Sequence, residues 1–286
     1  MQEKVLSSKK NGMAMMILFI LLYAAAAGLT AIGSMFFLVP AMVIGIIWLS
    51  LGWIPFLGLR VLKPQEALVL TLFGKYVGTL KDDGFYWVNP FCTAVNPAAK
   101  TKLNQSGDVD GGAAAKSVLT LATGTTASSN STYVNKKISL KIMTLNNNRQ
   151  KINDCLGNPI EIGIAVMWRV TDTAKAVFNV DNYKEYLSLQ CDSALRNIVR
   201  IYPYDVAPNV DTTGDGVADE GSLRGSSEIV AGRIRDEIQQ KVAEAGLEII
   251  EARITYLAYA PEIAAVMLQR QQASAIIDAR KMIVDG

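Results

Sequence analysis

The chain has 286 residues, enough for one large domain or two small ones. Hydrophobic residues make up 50% and charged residues only 19%, with a mean hydropathy of +0.23, which is greasier than an ordinary soluble domain. A net charge of +2 gives no basic field for nucleic acid, and the lack of histidine excludes Ser-His-Asp catalysis, Cys-His catalysis and His-ligated zinc.

The charge deficit is local. Asn11 to Leu59 contains no Asp, Glu, Lys or Arg, while the rest of the chain is close to the roughly 25% charge of soluble domains. As one helix, Met13 to Leu59 would be about 70 Å long, more than twice the roughly 30 Å hydrocarbon core of a bilayer. Two spans near 13–33 and 37–57 fit better, with Gly33, Ser34 and Pro40 marking a short break. Lys4, Lys9 and Lys10 precede the run, and Arg60 and Lys63 follow it. The positive-inside rule then puts both ends in the cytoplasm. This predicts a cytoplasmic tail over 1–12 and a transmembrane helical hairpin over 13–59. The protein is then a multi-pass protein of the cell (inner) membrane with most of its chain cytoplasmic. Trp48 and Trp53 resemble an interfacial belt. Three pairs of small residues four apart, Ala24/Gly28, Ala27/Ala31 and Ala41/Gly45, would let two helices approach closely. A cleavable signal peptide fits poorly, because the run far exceeds an h-region of roughly 7–15 residues.

Beyond the apolar run the periodicity changes. Ala67 to Phe73 alternates as a strand, and Gly74, Gly78 and Asp82-Asp83-Gly84 read as turns. Gly84 to Phe91 reads as an aromatic strand stopped by Pro90. From Thr93 to Asn135 the sequence is mostly Ala, Gly, Ser, Thr and Asn, which predicts a long loop with at most a short strand at Val118 to Leu121. Ile138, Leu140 and Ile142 alternate again. Ile160 to Val170 has an unambiguous period of two. After Asp172 the period becomes helical: Tyr183, Tyr186, Leu187, Ala194, Leu195, Ile198 and Val199 form a stripe, with Asp181 as its expected cap. A second helix starts near Ser226 or Ser227, carries Val230, Ile234, Ile238 and Val242, and stops at Gly246. Leu247 to Ala258 reads as a strand, and Pro261 opens a last helix. The class is α+β.

Chemistry-bearing patterns are sparse. Cys92, Cys155 and Cys191 have no CxxC spacing and fit a reducing compartment, with Cys155 expected as a free buried thiol. No nucleophile elbow, Ser-x-x-Lys, Walker or Gly-x-Gly-x-x-Gly pattern occurs. Asp211, Asp215 and Asp219 stand at positions 1, 5 and 9 of half an EF-hand calcium loop, with Gly216 at position 6. Thr213 at position 3 and Ser222 at position 12 depart from it, and a solvated Asp-Gly turn is the competing reading.

Several stretches taken together carry a resemblance. Lys63-Pro64-Gln65-Glu66-Ala67-Leu68-Val69 after a membrane anchor, then Phe73-Gly74-Lys75-Tyr76 and Gly84-Phe85, resemble the opening of the SPFH family. That family, also called band 7 or prohibitin-homology, includes stomatins, prohibitins and flotillins. Asp154 to Val170, Tyr183 to Ile201 with Ala194-Leu195-Arg196, and Gly246-Leu247-Glu248-Ile249 to Pro261-Glu262-Ile263 with Met267 and Arg270 are similar too. The resemblance implies an SPFH domain over 60–260, with insertions near 93–137 and 207–225. A carboxy-terminal helix over 261–286 would begin a coiled coil. It also implies a non-enzymatic scaffold in contact with membrane lipids, without cofactor, assembled into homo-oligomeric rings or cages. Such assemblies bound a membrane microdomain and often hold a membrane protease or transporter.

The last helix carries a narrow apolar stripe that needs a partner surface, since isolated helices of this length are marginal in water. An intramolecular sheet could supply that surface, but the family resemblance favours neighbouring subunits. The expected interface residues are Ile263, Val266, Ala273 and Ile277. Two other classes compete: a membrane-associated hydrolase, which lacks any recognisable nucleophile and base, and a calcium-responsive adaptor resting on Asp211, Asp215 and Asp219.

Overall fold

The structure is a computed structural model that describes residues 2–6, 11–37, 39–101, 135–205 and 221–285. It contains an apolar helical pair followed by mixed helix and sheet, divided into two compact units. The first comprises Met1–Lys100, Asp110–Lys141 and Val170–Asn182; the second comprises Thr101–Val109, Ile142–Arg169 and Tyr183–Gly286.

In the first unit, α1 (Gly12–Met35) and α2 (Val39–Leu51) pack as a hairpin. The 24 residues of α1 span about 36 Å, enough for the hydrocarbon core. The 13 residues of α2 alone fall short of it, but a short turn and the 3-10 helix Ile54–Gly58 extend the apolar segment to 20 residues. Both segments are long and apolar enough to cross a membrane. The chain turns at Phe36 and Phe37, the latter in a left-handed conformation (φ 53°), slightly later than Gly33-Ser34 suggests.

The seam between the helices uses fewer small residues than the sequence offers. Gly12, Phe19, Ala26 and Gly33, spaced by sevens, are the buried residues of α1. An added Cβ at Gly33 would meet Met42 N at 2.9 Å, and one at Gly45 would collide with Thr30 Cγ2. Ala41/Gly45 therefore belongs to the seam. Ala24/Gly28 and Ala27/Ala31 point away from it, because Tyr23, Ala26 and Thr30 occupy the inward face. Tyr23 closes the contact by donating its hydroxyl to Leu49 O (2.6 Å).

Among the described residues of this unit, six strands follow. β1 (Leu59–Leu62) pairs antiparallel with β4 (Gly84–Trp87), with Leu59 opposite Trp87. β2 (Glu66–Leu72) pairs antiparallel with β3 (Lys75–Leu80), β5 (Thr93–Ala94) and β6 (Ile138–Ser139). Their core is Leu62, Leu68, Leu70, Leu80, Tyr86 and Cys92. The aromatic strand is shorter than its apolar run. Asn89 ends it, with its Oδ1 accepting from Phe91 N (3.0 Å) and its carbonyl from Cys92 N (2.9 Å). The short helix α3 (Thr173–Phe178) packs on β2, capped by the Asp172 carboxylate accepting from Lys175 N.

The residues before α1 are more than a tail. Val5 bridges Thr79 in parallel, with Thr79 N donating to Lys4 O and Leu6 N to Thr79 O, both at 2.9 Å. The Glu3 carboxylate anchors this segment. It accepts from Lys81 Nζ (2.6 Å), Thr173 Oγ1 (2.5 Å) and Thr173 N (3.2 Å).

In the second unit the long strand β9 (Pro159–Val170) is central. β7 (Met143–Asn146) and β8 (Gln150–Asn153) pair with it antiparallel, and β10 (Leu247–Tyr259) neighbours it on the other side. Ala260 N donates to Pro159 O (2.9 Å) and Arg169 Nε to Glu248 Oε2 (2.7 Å), so β9 and β10 run in opposite directions. Ile160, Ile162, Ile164, Val166 and Trp168 are completely buried, as the period of two requires. The helices α4 (Tyr183–Val199) and α5 (Ser227–Val242) pack together, and α5 lies on β10. Their buried stripes are Leu187, Cys191, Ala194 and Leu195 on α4, and Val230, Ile234, Ile238 and Val242 on α5. α4 starts at Tyr183, so Asn182 rather than Asp181 precedes its first turn. A 3-10 turn follows α5 and ends at Gly246, whose φ of 66° suits glycine.

The alternation of Ile138, Leu140 and Ile142 does not form one strand. Ile138 is buried in β6, whereas Ile142 is exposed and the next buried pair, Met143 and Leu145, belongs to β7.

Candidate functional site

The last helix, α6 (Pro261–Asp285), departs from the end of β10. Pro261 presets the first turn, and Ile263 N and Ala264 N both donate to Ala260 O (3.0 and 3.1 Å). Glu262 accepts from Lys151 Nζ (2.6 Å), and this hydrogen bond holds its carboxyl below the usual range. A negative charge in the first turn also suits the helix dipole.

At 100° per residue Ile263, Val266, Ala273 and Ile277 share one face. The fold covers that face only at its start, where Ile263 and Met267 are half-buried. Val266 is 62% exposed, Ala273 is exposed and Ile277 is 65% exposed. Leu268, Ile276 and Ile283 are also exposed. Among the described residues, the apolar side chains of α6 other than Ile263 and Met267 are therefore exposed.

Other residues singled out in the sequence fare differently. Asp211, Asp215 and Asp219 lie outside the described residues, as do Val118 to Leu121. Among the described residues no group of three or more His, Cys, Asp or Glu side chains comes together. Cys155 is exposed, which corrects the expectation of a buried thiol: it sits in the turn after β8, beyond the strand pairing. Partial desolvation by its neighbours and the adjacent Asp154 carboxylate push its thiol pKa up, the opposite of thiolate activation. Cys92 and Cys191 are buried, and burial raises the Cys191 thiol to about 12.

A model described as the SPFH domain / Band 7 family matches residues 60–283. The chain belongs to the SPFH/band 7 family. No match was found among curated proteins. The SPFH match starts where β1 leaves the apolar pair and includes nearly all of α6.

Two carboxylates organise the backbone around them, Glu3 before the helical pair and Asp154 within the SPFH domain. Glu3 sits among polar residues that carry no periodicity, so nothing in the sequence marks its contacts with Lys81 and Thr173. Asp154, only 4% exposed, accepts at Oδ1 from Leu156 N (2.9 Å) and Asn158 N (2.8 Å). Its Oδ2 accepts from Asn158 Nδ2 (3.1 Å) and Tyr204 N (3.2 Å). The Asp-Cys-Leu-Gly-Asn sequence, with its turn residues, was the signal available.

Proposed function

We propose that the chain is a membrane-anchored, non-enzymatic scaffold that assembles through α6 into homo-oligomeric rings or cages. These assemblies bound a membrane microdomain and regulate membrane proteases or transporters held within it. The observation that carries this reading is the exposed face of Val266, Ala273 and Ile277 on α6. Packing that face against a second copy removes apolar surface from water at about 25 cal/mol per Å². Arg270 and Arg280 are exposed on the same helix and are available for pairing across neighbouring helices.

The membrane hairpin fits this role. Residues before α1 and after α2 hydrogen-bond to one another through Lys4, Leu6 and Thr79, which favours both ends of the hairpin on one side of the bilayer. With the basic residues flanking the pair, that side is the cytoplasm.

Replacing Ile277 by Asp places a charge in the proposed seam. The variant is expected to run as a much smaller species than wild type on a detergent sizing column, while circular dichroism shows an intact fold. Retention of full oligomer size would refute the seam.

A further inference from the structure

Residues 3–6 form a strap that adds to the edge of β3 like a short extra strand. Val5 pairs with Thr79 as an isolated parallel bridge, closed by Thr79 N donating to Lys4 O and Leu6 N to Thr79 O. Lys4 N also donates to Tyr76 OH (3.3 Å). Strand addition draws affinity from main-chain hydrogen bonds and specificity from side-chain pockets, and both are present here.

The first pocket takes the Glu3 carboxylate. Lys81 Nζ, Thr173 Oγ1 and Thr173 N donate to it, and the Glu3 side chain is only 13% exposed. Other contacts hold this pocket in shape. Thr171 O accepts from Lys81 Nζ (2.8 Å), and Thr173 and Thr79 are completely buried with their hydroxyl oxygens 3.1 Å apart. The second pocket takes Leu6, which packs on the core of Leu62, Leu68, Leu70, Leu80, Tyr86 and Cys92. Its floor is Gly78, where an added Cβ would meet Leu6 Cγ at 2.5 Å. Between the two pockets Lys4 and Val5 are exposed. The site therefore reads Glu-x-x-Leu.

The grip on the strap is light for so specific a site. A single bridge joins it to the edge where a ladder would normally run, and edge segments with few hydrogen bonds open at low cost. Opening leaves the backbone groups of Thr79 without their strand partner, a template for another strand. The place of the strap in the chain says which strand fits. Leu6 stands six residues before Gly12, where α1 begins, so about 20 Å of chain at most separates the site from an apolar span. A segment seated in the same way lies just outside a span of its own.

We propose that the β3 edge recognises a Glu-x-x-Leu segment at the cytoplasmic entry of another membrane protein's span, and that residues 3–6 are its autoinhibitory strap. The proposal rests on the scaffold reading above and names how a held membrane protein is recognised. Binding exchanges one strap for another: the incoming Glu meets Lys81 and Thr173, the incoming Leu meets Gly78, and residues 3–6 are released. Affinity for the wild-type chain is lowered in proportion to the fraction of copies whose strap is closed.

The probe is fluorescein-labelled Gln-Glu-Lys-Val-Leu-Ser, the sequence of residues 2–7. It is titrated onto the full chain in lipid nanodiscs and read by anisotropy, with empty nanodiscs as the blank. Glu3→Ala combined with Leu6→Ala loosens the strap, and this chain should bind the peptide at least about tenfold more tightly than wild type. Peptides carrying Glu3→Gln or Leu6→Ala should bind about tenfold more weakly than the parent; equal binding overturns the motif. A loosened chain that melts cooperatively yet binds no peptide overturns the site. Wild type gives an independent answer where that variant folds poorly. Val5→Cys in a Cys155→Ser background carries a spin label on the exposed side of the strap, and excess peptide should mobilise it. An unmoved spectrum overturns the exchange. A benzophenone on the same cysteine should cross-link within its own chain, and a dimer band on a denaturing gel would place the strap on a neighbouring copy and overturn the autoinhibitory contact. Joining the peptide to an apolar helix of about twenty residues should improve its competition about tenfold through effective concentration; no gain overturns the membrane-protein partner. Assemblies of full size that bind no peptide overturn this site alone. Monomers that bind it leave the site standing and overturn the scaffold reading.

Discussion

At the scale of single residues, the most consequential side chains are polar groups that organise backbone rather than groups poised for chemistry. Asp154 satisfies three backbone N–H groups and one side-chain amide from a buried position. Replacing it by Ala leaves those donors without partners, and each unsatisfied buried donor costs about 1–3 kcal/mol. Asp154→Ala is therefore expected to lose at least about 2 kcal/mol in denaturant unfolding, and an unchanged midpoint would contradict this role. Cys191 makes a different point. Its folded-state pKa of about 12 lies above the 9.0 of an ordinary thiol, because burial and then Asp192 disfavour the thiolate. The unfolded chain releases this proton first as pH rises. Cys191 therefore supports stability below the ordinary thiol range, and that contribution is lost as pH climbs toward 12. Thermal melts across alkaline pH should show a steeper fall for wild type than for Cys191→Ala. In the native protein only Cys155 should react with a maleimide, with Cys92 and Cys191 following on unfolding.

At the scale of elements, legibility tracked how strongly burial stamps a period on the sequence. β9 was plain because every second residue is fully buried over twelve residues. α4 and α5 were plain because their stripes repeat at three and four. β1 carries no period of its own, because its four residues follow directly on the apolar run and only Leu62 is buried. β3 was hidden by Gly78, whose φ of 158° is ordinary extended backbone rather than a turn. β8 shows a single buried residue, Ile152, and so carries no period at all. The candidate interface on α6 was readable as a stripe, yet only the structure reports that the fold releases it after Met267.

At the scale of the whole molecule, the proposed scaffold depends on a two-span anchor and on assembly. The anchor makes a direct prediction. Reporters fused before Met1 and after Gly286 should both register cytoplasm, since Lys4 and Leu6 share backbone hydrogen bonds with Thr79 beyond the second helix. Reporters on opposite sides would require a single span and would break those bonds. Assembly is the central claim, because Val266, Ile276, Ile277 and Ile283 of α6 are exposed among the described residues. Single-particle imaging of the full chain extracted in mild detergent tests it most directly. Closed rings or cages of many copies, with α6 at the contacts between neighbours, are the predicted result; a uniform population of monomers would contradict it.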